Sequence, residues 1–255
     1  MTFKLLDLFS GLGGFSLGLE RTGCFQTVAF CDNDKYSKLI INKHWKGKKV
    51  YEDVREITKQ RLKADGVQLP DIITGGFPCQ PFSVAGKQKG TSDDRHLWPE
   101  MFRIIKELTP RWVIGENVKG LTNIQDGVVF ETVCTDLEGE GYEVRAFNIP
   151  AAGVGAPHRR ERLWIVANSR RALRQGTELR ETNEDETREG YADQHQRSGG
   201  ISWGSWQFEP NVGRVAHGVS GRVHRLKGLG NSIVPQIAEE IGKAIIEAER
   251  LNEME

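Results

Sequence analysis

Short apolar runs alternate with amphipathic stretches over the first part of the chain, up to residue 167. The apolar runs are rich in β-branched and aromatic residues and end at turn formers, which is typical of buried strands. Between them, apolar side chains recur at helical spacing, as in residues 99–108 and 130–138. Strands are predicted at residues 3–9, 27–31, just before 51, 70–74, 111–115, 142–149 and 162–167. The alternation predicts an α/β fold, with a mostly parallel twisted sheet and helices on both faces.

The apolar periodicity is lost beyond this first domain. Residues 168–200 mix charged and polar side chains, and we interpret them as a variable insertion. Residues 203–227 combine aromatic and basic side chains, which is typical either of a nucleic-acid contact or of a solvated face around a small core. An apolar stripe predicts a final helix at residues 235–251, which should dock back on the first domain because it has no sheet of its own. The predicted division is residues 1–167, 168–225 and 226–255.

Composition excludes several classes of protein. The 255 residues carry 35 basic and 35 acidic side chains, so bulk charge does not favour nucleic acid, although a local basic cleft is compatible with it. Four cysteines occur without CxxC pairing or His/Cys ligand spacing, and neither a metal site nor a disulfide framework is expected. No long apolar run or signal peptide is evident, so a cytoplasmic protein that does not contact membranes is expected.

A glycine-rich turn, residues 10–14, follows the first predicted strand and leads into a helix. This arrangement presents backbone N–H groups to a ligand, although the spacing is not that of the dinucleotide fingerprint. Asp32 ends the second strand about 20 residues later, where an acid can accept hydrogen bonds from ribose hydroxyls. The alternative is that Asp32 caps the helix that begins near Lys35. Asp53 adds a second acid at the same edge.

Cys79 lies between two prolines in residues 75–83, directly after a predicted buried strand. The prolines restrict the backbone around the thiol. Such a cysteine is either a nucleophile presented to a crevice or a small buried hydrophobe, and the stretch alone does not decide between them. The polar residues 84–98 that follow are interpreted as an active-site lid.

An acid and a pair of arginines complete a candidate reaction centre. Glu116 ends the fifth predicted strand, and Arg160 and Arg162 lie at the entrance to the last one. A thiolate that adds to carbon 6 of a pyrimidine makes carbon 5 nucleophilic, and Glu116 would hydrogen-bond nitrogen 3 and the exocyclic amine. The arginines could hold the ring carbonyl or a phosphate and keep Cys79 ionised. Individually, Glu116 could equally be a cap or a surface acid, and the arginines could belong to a solvated turn.

Five blocks of sequence together resemble the DNA cytosine-5 methyltransferase family. They comprise residues 7–20, 75–83, 116–118, 158–162 and 228–236. The resemblance implies a Rossmann-like S-adenosylmethionine-dependent methyltransferase fold with a small target-recognition lobe. It also implies methylation of carbon 5 of cytosine in double-stranded DNA by base flipping, with Cys79 as the nucleophile and Glu116 assisting at nitrogen 3. Arg160 and Arg162 look like the family's basic pair at the target base.

The resemblance also implies the ligand contacts, with S-adenosyl-L-methionine as cofactor, S-adenosyl-L-homocysteine as product and no metal. The residues expected to bind the cofactor are Phe9, Gly11, Leu12, Gly13, Gly14, Asp32, Asn33, Asp53, Val54, Pro78, Asn231 and Ser232. Those expected to contact DNA are Gln80, Ser83, Lys87, Lys89, Arg95, Arg159, Arg222 and Arg225. Asp32 stands where the family usually has Glu, and His158 where Gln is common.

Two other functions are compatible with the same residues. A transfer-RNA methyltransferase of the same fold is one, although Gly76-Phe77 before Pro78 favours DNA, because the RNA branch tends to have a second proline there. A non-catalytic DNA-binding module is the other, and it would need neither Cys79 nor Glu116. A monomer of prokaryotic or phage origin is expected, with a cognate restriction endonuclease as its partner.

Overall fold

Seven strands form one sheet in the part of the chain described by the structure, a computed structural model that covers residues 2–78, 97–169, 229 and 232–254. The strands are β1 (Phe3–Leu8), β2 (Phe25–Cys31), β3 (Lys49–Tyr51), β4 (Ile72–Gly75), β5 (Trp112–Val118), β6 (Tyr142–Pro150) and β7 (Glu161–Ser169). Their spatial order is β3-β2-β1-β4-β5-β7-β6. Strands β1 to β5 pair in parallel, which confirms the predicted mostly parallel sheet.

The last strand departs from the parallel pattern. β7 lies between β5 and β6 and is antiparallel to both. The connection from β6 to β7, residues 151–160, has room for only a short 3₁₀ turn at Ala151–Val154. A parallel return needs a crossover of about a dozen residues or more, usually with a helix, so this short connection reverses the strand. β7 also continues to Ser169, past the predicted domain boundary at residue 167.

Helices cover both faces of the sheet, as predicted. They are α1 (Gly14–Glu20), α2 (Lys35–His44), α3 (Lys59–Ala64), α4 (Trp98–Leu108), α5 (Val128–Gly139) and α6 (Pro235–Met254). Further 3₁₀ turns occupy Val54–Glu56 and Lys119–Gly127. The sequence pattern missed α3, a short helix that Thr58 caps by accepting a hydrogen bond from the Arg61 N–H (3.0 Å).

Two apolar clusters fill the space between the helices and the sheet. One packs α3, α4 and α5 on one face, and the other packs α1 and α6 on the opposite face. In the second cluster, Glu249 of α6 accepts a hydrogen bond from the indole of Trp112 (2.7 Å) and forms an ion pair with Arg111. The C-terminal helix therefore docks on the sheet, as predicted. None of the helices within the described ranges is long and apolar enough to cross a membrane.

Candidate active site

The glycine-rich turn after β1 has the backbone conformation that its sequence suggests. Phe9, Gly11 and Gly13 have φ values of +50°, +53° and +77°. At Gly13 two factors exclude a side chain. The positive φ is unfavourable for residues other than glycine, and a β-carbon would lie 2.6 Å from Cη2 of Trp45. At Gly11, by contrast, no atom of the described residues beyond its chain neighbours lies within 4 Å of the β-carbon position, so the described part of the chain leaves space beside the turn. Leu12 is half-buried within the turn.

Asp32 ties the tip of β2 to this turn. Its carboxylate accepts hydrogen bonds from the Gly11 N–H (2.7 Å) and the Asp34 N–H (2.8 Å). Burial raises the pKa of Asp32, and these two bonds counteract that rise. The cap of α2 is Asp34, which accepts from the Ser37 N–H (2.9 Å), so the helix-cap alternative for Asp32 is wrong.

The third strand places a second acid at the same edge. β3 pairs with β2, and the Asp32 N–H donates to the Tyr51 carbonyl (3.0 Å) at the point where both strands end. Asp53 follows and accepts a hydrogen bond from the Arg55 N–H (2.9 Å), while the side chain of Val54 is buried. Asn33, next to Asp32, is exposed.

Two residues that support the turn were missed from the sequence. Asp7 in β1 is fully buried and accepts hydrogen bonds from the Ser16 N–H and hydroxyl (3.3 and 2.8 Å) and from the Thr74 hydroxyl (3.1 Å). Desolvation raises its pKa to about 7. Trp45 packs against Gly13 and donates from its indole to Glu20 (2.8 Å). Asp7 could have been found from the sequence, because it is an acid inside an apolar strand. The role of Trp45 is evident only from the packing.

The tips of β4 and β5 meet at the candidate reaction centre, because these strands are parallel neighbours whose last pair is Gly75 and Gly115. Residues 76–78 leave β4 along the tip of β5. The Asn117 side-chain amide donates to the Phe77 carbonyl (2.9 Å), and the Phe77 ring is buried. A β-carbon on Gly76 would lie 3.2 Å from Oε2 of Glu116. The segment that leads directly into Cys79 therefore lies against Glu116.

Glu116 is 8% exposed and lies beside two arginines. Its Oε1 is 3.0 Å from Nε of Arg162, which sits diagonally across the antiparallel β5–β7 pair. Burial raises the pKa of Glu116, and the charges of Arg162 and Arg160 partly offset that rise. A carboxyl with a raised pKa beside a positioned cation is suited to donating a proton or a hydrogen bond.

Arg160 and Ser232 connect this centre to the C-terminal segment. Nη2 of Arg160 donates to the Ser232 carbonyl (2.6 Å). Ser232 and Ile233 lie against Gly14, whose β-carbon position is 2.7 Å from Cγ1 of Ile233. The structure thus links the predicted base-binding and cofactor-binding residues through one hydrogen bond.

The remaining predicted residues are distributed differently. Arg159 is exposed, and its carbonyl accepts a hydrogen bond from the Ala151 N–H (2.7 Å). Pro78 is exposed at the end of its segment. Several predicted site residues lie outside the described residues: Cys79, Gln80, Ser83, Lys87, Lys89, Arg95, Arg222, Arg225 and Asn231. Residues 84–96 of the predicted lid and nearly all of the predicted recognition region lie outside them as well. Trp98, which the sequence pattern assigned to the lid, is instead the buried first residue of α4.

Comparison with known proteins agrees with this arrangement. A family model described as C-5 cytosine-specific DNA methylase matches residues 3–198, which include both the glycine-rich turn and the β4–β5 tips. The chain belongs to this family. The sequence blocks around Cys79 and Glu116 both lie inside the matched region.

The relatives of this chain include bacterial Type II methyltransferases. Type II methyltransferase M.Bsp6I of Bacillus sp. (strain RFL6) is 36% identical over 166 residues, which cover 64% of this chain and 51% of the relative. Type II methyltransferase M.NgoBI of Neisseria gonorrhoeae is 38% identical over 170 residues, which cover 66% of this chain and 51% of the relative. The chain spans about half the length of these relatives.

Solved structures show the same fold. A proposed DNA modification methyltransferase encoded within an E. coli prophage superposes with a TM-score of 0.56 at 26% identity, covering 67% of this chain and 48% of that one. Spodoptera frugiperda DNMT2 superposes with a TM-score of 0.55 at 24% identity, covering 66% and 50%, which is evidence for the fold alone. These likenesses agree with the Rossmann-like sheet. Among the residues that the structure describes, no three or more metal-ligating side chains cluster together.

Proposed function

We propose that this protein transfers a methyl group from S-adenosylmethionine to carbon 5 of cytosine in double-stranded DNA. The observation that carries the proposal is the position of Glu116. Its carboxyl is buried at the tip of β5, paired with Arg162 on one oxygen and facing Gly76 on the other. Gly76 begins the segment that leads into Cys79, so the acid and the thiol would act on the same ring.

The residues around the turn after β1 fit S-adenosylmethionine. The described residues leave space beside Gly11, and the half-buried Asp32 keeps lone pairs that can accept hydrogen bonds from ribose hydroxyls. Asp53 lies at the same edge and would meet the adenine amine. When bound, S-adenosylmethionine supplies an electrophilic methyl group on a sulfonium.

The chain's own groups would activate the cytosine. The thiolate of Cys79 forms a bond to carbon 6, and the electron pair of the ring's double bond moves to carbon 5, which takes the methyl group. Loss of the carbon 5 proton to a base then expels the thiolate and restores the ring. Throughout, the Glu116 carboxyl would hydrogen-bond nitrogen 3 and the exocyclic amine, and so stabilise the charge that develops on addition.

The ring can be reached only outside the duplex, so the base must be flipped into the crevice, as the class of enzyme requires. Arg162, which pairs with Glu116, would also hold the ring carbonyl. We also propose that the protein acts as a cytoplasmic monomer in a prokaryotic or phage-infected cell, as the modification partner of a restriction endonuclease. The bacterial Type II relatives support that setting.

Methyl transfer to defined acceptors tests the proposal. Duplex DNA incubated with the protein and labelled S-adenosylmethionine should yield 5-methylcytosine, and Cys79→Ser should abolish the label. Transfer RNA in a parallel reaction should remain unlabelled. DNA that contains 5-fluorocytosine should form a covalent adduct, because fluorine replaces the proton whose loss releases the thiolate. Labelling by Cys79→Ser at the wild-type rate would overturn the mechanism, and labelling of transfer RNA alone would overturn the substrate.

A further inference from the structure

Arg160 has a backbone conformation that its surroundings must impose. It is the last residue before β7 and has a φ of +30°, within the left-handed region that residues other than glycine rarely adopt. Such conformations persist when nearby contacts over-determine them, and they cluster at functional sites. The side chain is half-buried, so its position is also constrained by packing.

In this conformation, the Arg160 side chain contacts a residue that is distant in sequence. Nη2 of Arg160 donates a hydrogen bond of 2.6 Å to the carbonyl of Ser232, a residue 72 positions later. A charged donor on a neutral carbonyl makes a stronger bond than two neutral groups do. The bond fixes the entrance to β7 against the segment that precedes α6.

That C-terminal segment packs on the start of α1. The β-carbon position of Gly14 lies 2.7 Å from Cγ1 of Ile233 and 3.3 Å from Oγ of Ser232. Gly14 is the last residue of the glycine-rich turn and the first of α1, so a shift of Ser232 would be transmitted to the turn. Close packing without gaps transmits such displacements rather than absorbing them.

We propose that Arg160 is a positioning residue for the cofactor site: it holds Ser232 and Ile233 against the glycine-rich turn. This inference rests on the proposed function, and it assigns different roles to Arg160 and Arg162. Arg162 contacts Glu116 and serves the target base, whereas Arg160 serves the cofactor through a main-chain carbonyl. From the sequence alone, both arginines are expected at the base.

Binding of S-adenosylhomocysteine, measured by calorimetry on the full chain without DNA, tests this division. Arg160→Met removes the donor and should raise Kd about tenfold or more. Arg160→Lys keeps a charged donor and should stay within about threefold of wild type. Arg162→Met, the matched control in the same basic block, should change Kd by less than about twofold, because Arg162 bonds to the other side of the site. If Arg160→Met does not fold, Arg160→Leu removes the donor with another apolar side chain and should raise Kd in the same way.

Steady-state kinetics supply a second readout. Arg160→Met should raise KM for S-adenosylmethionine more than it lowers kcat, and Arg162→Met should do the reverse. Wild-type affinity in Arg160→Met, or equal losses of affinity in both arginine variants, would overturn the inference. A wild-type chain that binds no S-adenosylhomocysteine would instead overturn the proposed function, and this inference with it.

Discussion

Nε of Arg162 lies 3.0 Å from Oε1 of Glu116, although the two residues are far apart in sequence. Antiparallel pairing of β5 with β7 creates the contact, because Val118 opposite Arg162 puts Glu116 one diagonal step away on the same face. The guanidinium compensates a carboxyl that burial would otherwise leave isolated, since an unpaired buried charge is strongly unfavourable. The pair thus keeps an acid in the apolar crevice next to the segment that leads to Cys79.

Replacement of Glu116 by glutamine should separate chemistry from folding. The amide still accepts a hydrogen bond from Arg162, so the free energy of unfolding should change little. The amide cannot exchange a proton with the ring as a carboxyl can, so the methylation rate should fall about 10²- to 10⁴-fold. Single-turnover methylation of duplex DNA measures the effect. Glu143→Gln, at an exposed ion pair on β6, is the control, and a similar loss in both variants would contradict the assignment.

Asp7 should make stability depend on pH in a direction opposite to that of most acids. Burial raises its pKa from 3.8 to about 7, so between these values the folded state binds a proton that the unfolded state has released. Stability from this group is therefore present at low pH and is lost as pH rises to about 7. The loss amounts to up to about 4 kcal/mol.

Asp7→Asn checks this dependence, because the amide can keep the bonds to Ser16 and Thr74 without titrating. Relative to wild type, the variant should gain stability as pH rises from about 4 to about 7, which urea unfolding at several pH values measures. Parallel curves for the two proteins would show that Asp7 is ionised throughout the range.

Gly13 and Trp45 should behave as a coupled pair. Gly13→Ala places a β-carbon 2.6 Å from the indole and forces alanine to a φ of +77°, so it should destabilise the protein by about 2 kcal/mol or more. In a Trp45→Ala background the steric part of that cost disappears and only the backbone part remains. A double-mutant cycle should then give a coupling energy of about 1 kcal/mol, whereas strictly additive effects would exclude the contact.

Gly18 sets how closely α1 approaches the C-terminal helix. A β-carbon there would lie 2.1 Å from the Pro235 carbonyl, so Gly18→Ala should destabilise the protein by about 2 kcal/mol, despite alanine's higher helix propensity. Gly139→Ala, in α5, is the matched control and should be neutral or slightly stabilising, because among the described residues no atom beyond its own helix and chain neighbours lies within 4 Å of that β-carbon position. Thermal unfolding of both variants distinguishes the effects, and a neutral Gly18→Ala would rule out the close packing.

Local sequence was enough to predict the alternation of strands and helices, the turn after β1 and the acids at the strand tips. These features follow from short-range rules: apolar period, turn chemistry and the sharing of one sheet edge by the carboxyl ends of parallel strands. The same rules predict that the tips of β4 and β5 lie together. Glu116 directly follows the last residue of β5 that pairs with β4, although β5 itself continues to Val118 along β7, past the predicted end of the strand. Its sequence block falls within the region that the family model matches.

Tertiary packing determined which groups pair. The reversal of β7, which a short connection makes necessary, put Arg162 on Glu116 and directed Arg160 to Ser232. The support of the turn by Asp7 and Trp45 depends on contacts between elements distant in sequence, which no local pattern encodes. Tertiary contacts also decided which acid caps α2. Asp34 accepts a hydrogen bond from the Ser37 N–H, whereas Asp32 accepts one from the Gly11 N–H in the turn after the neighbouring strand β1.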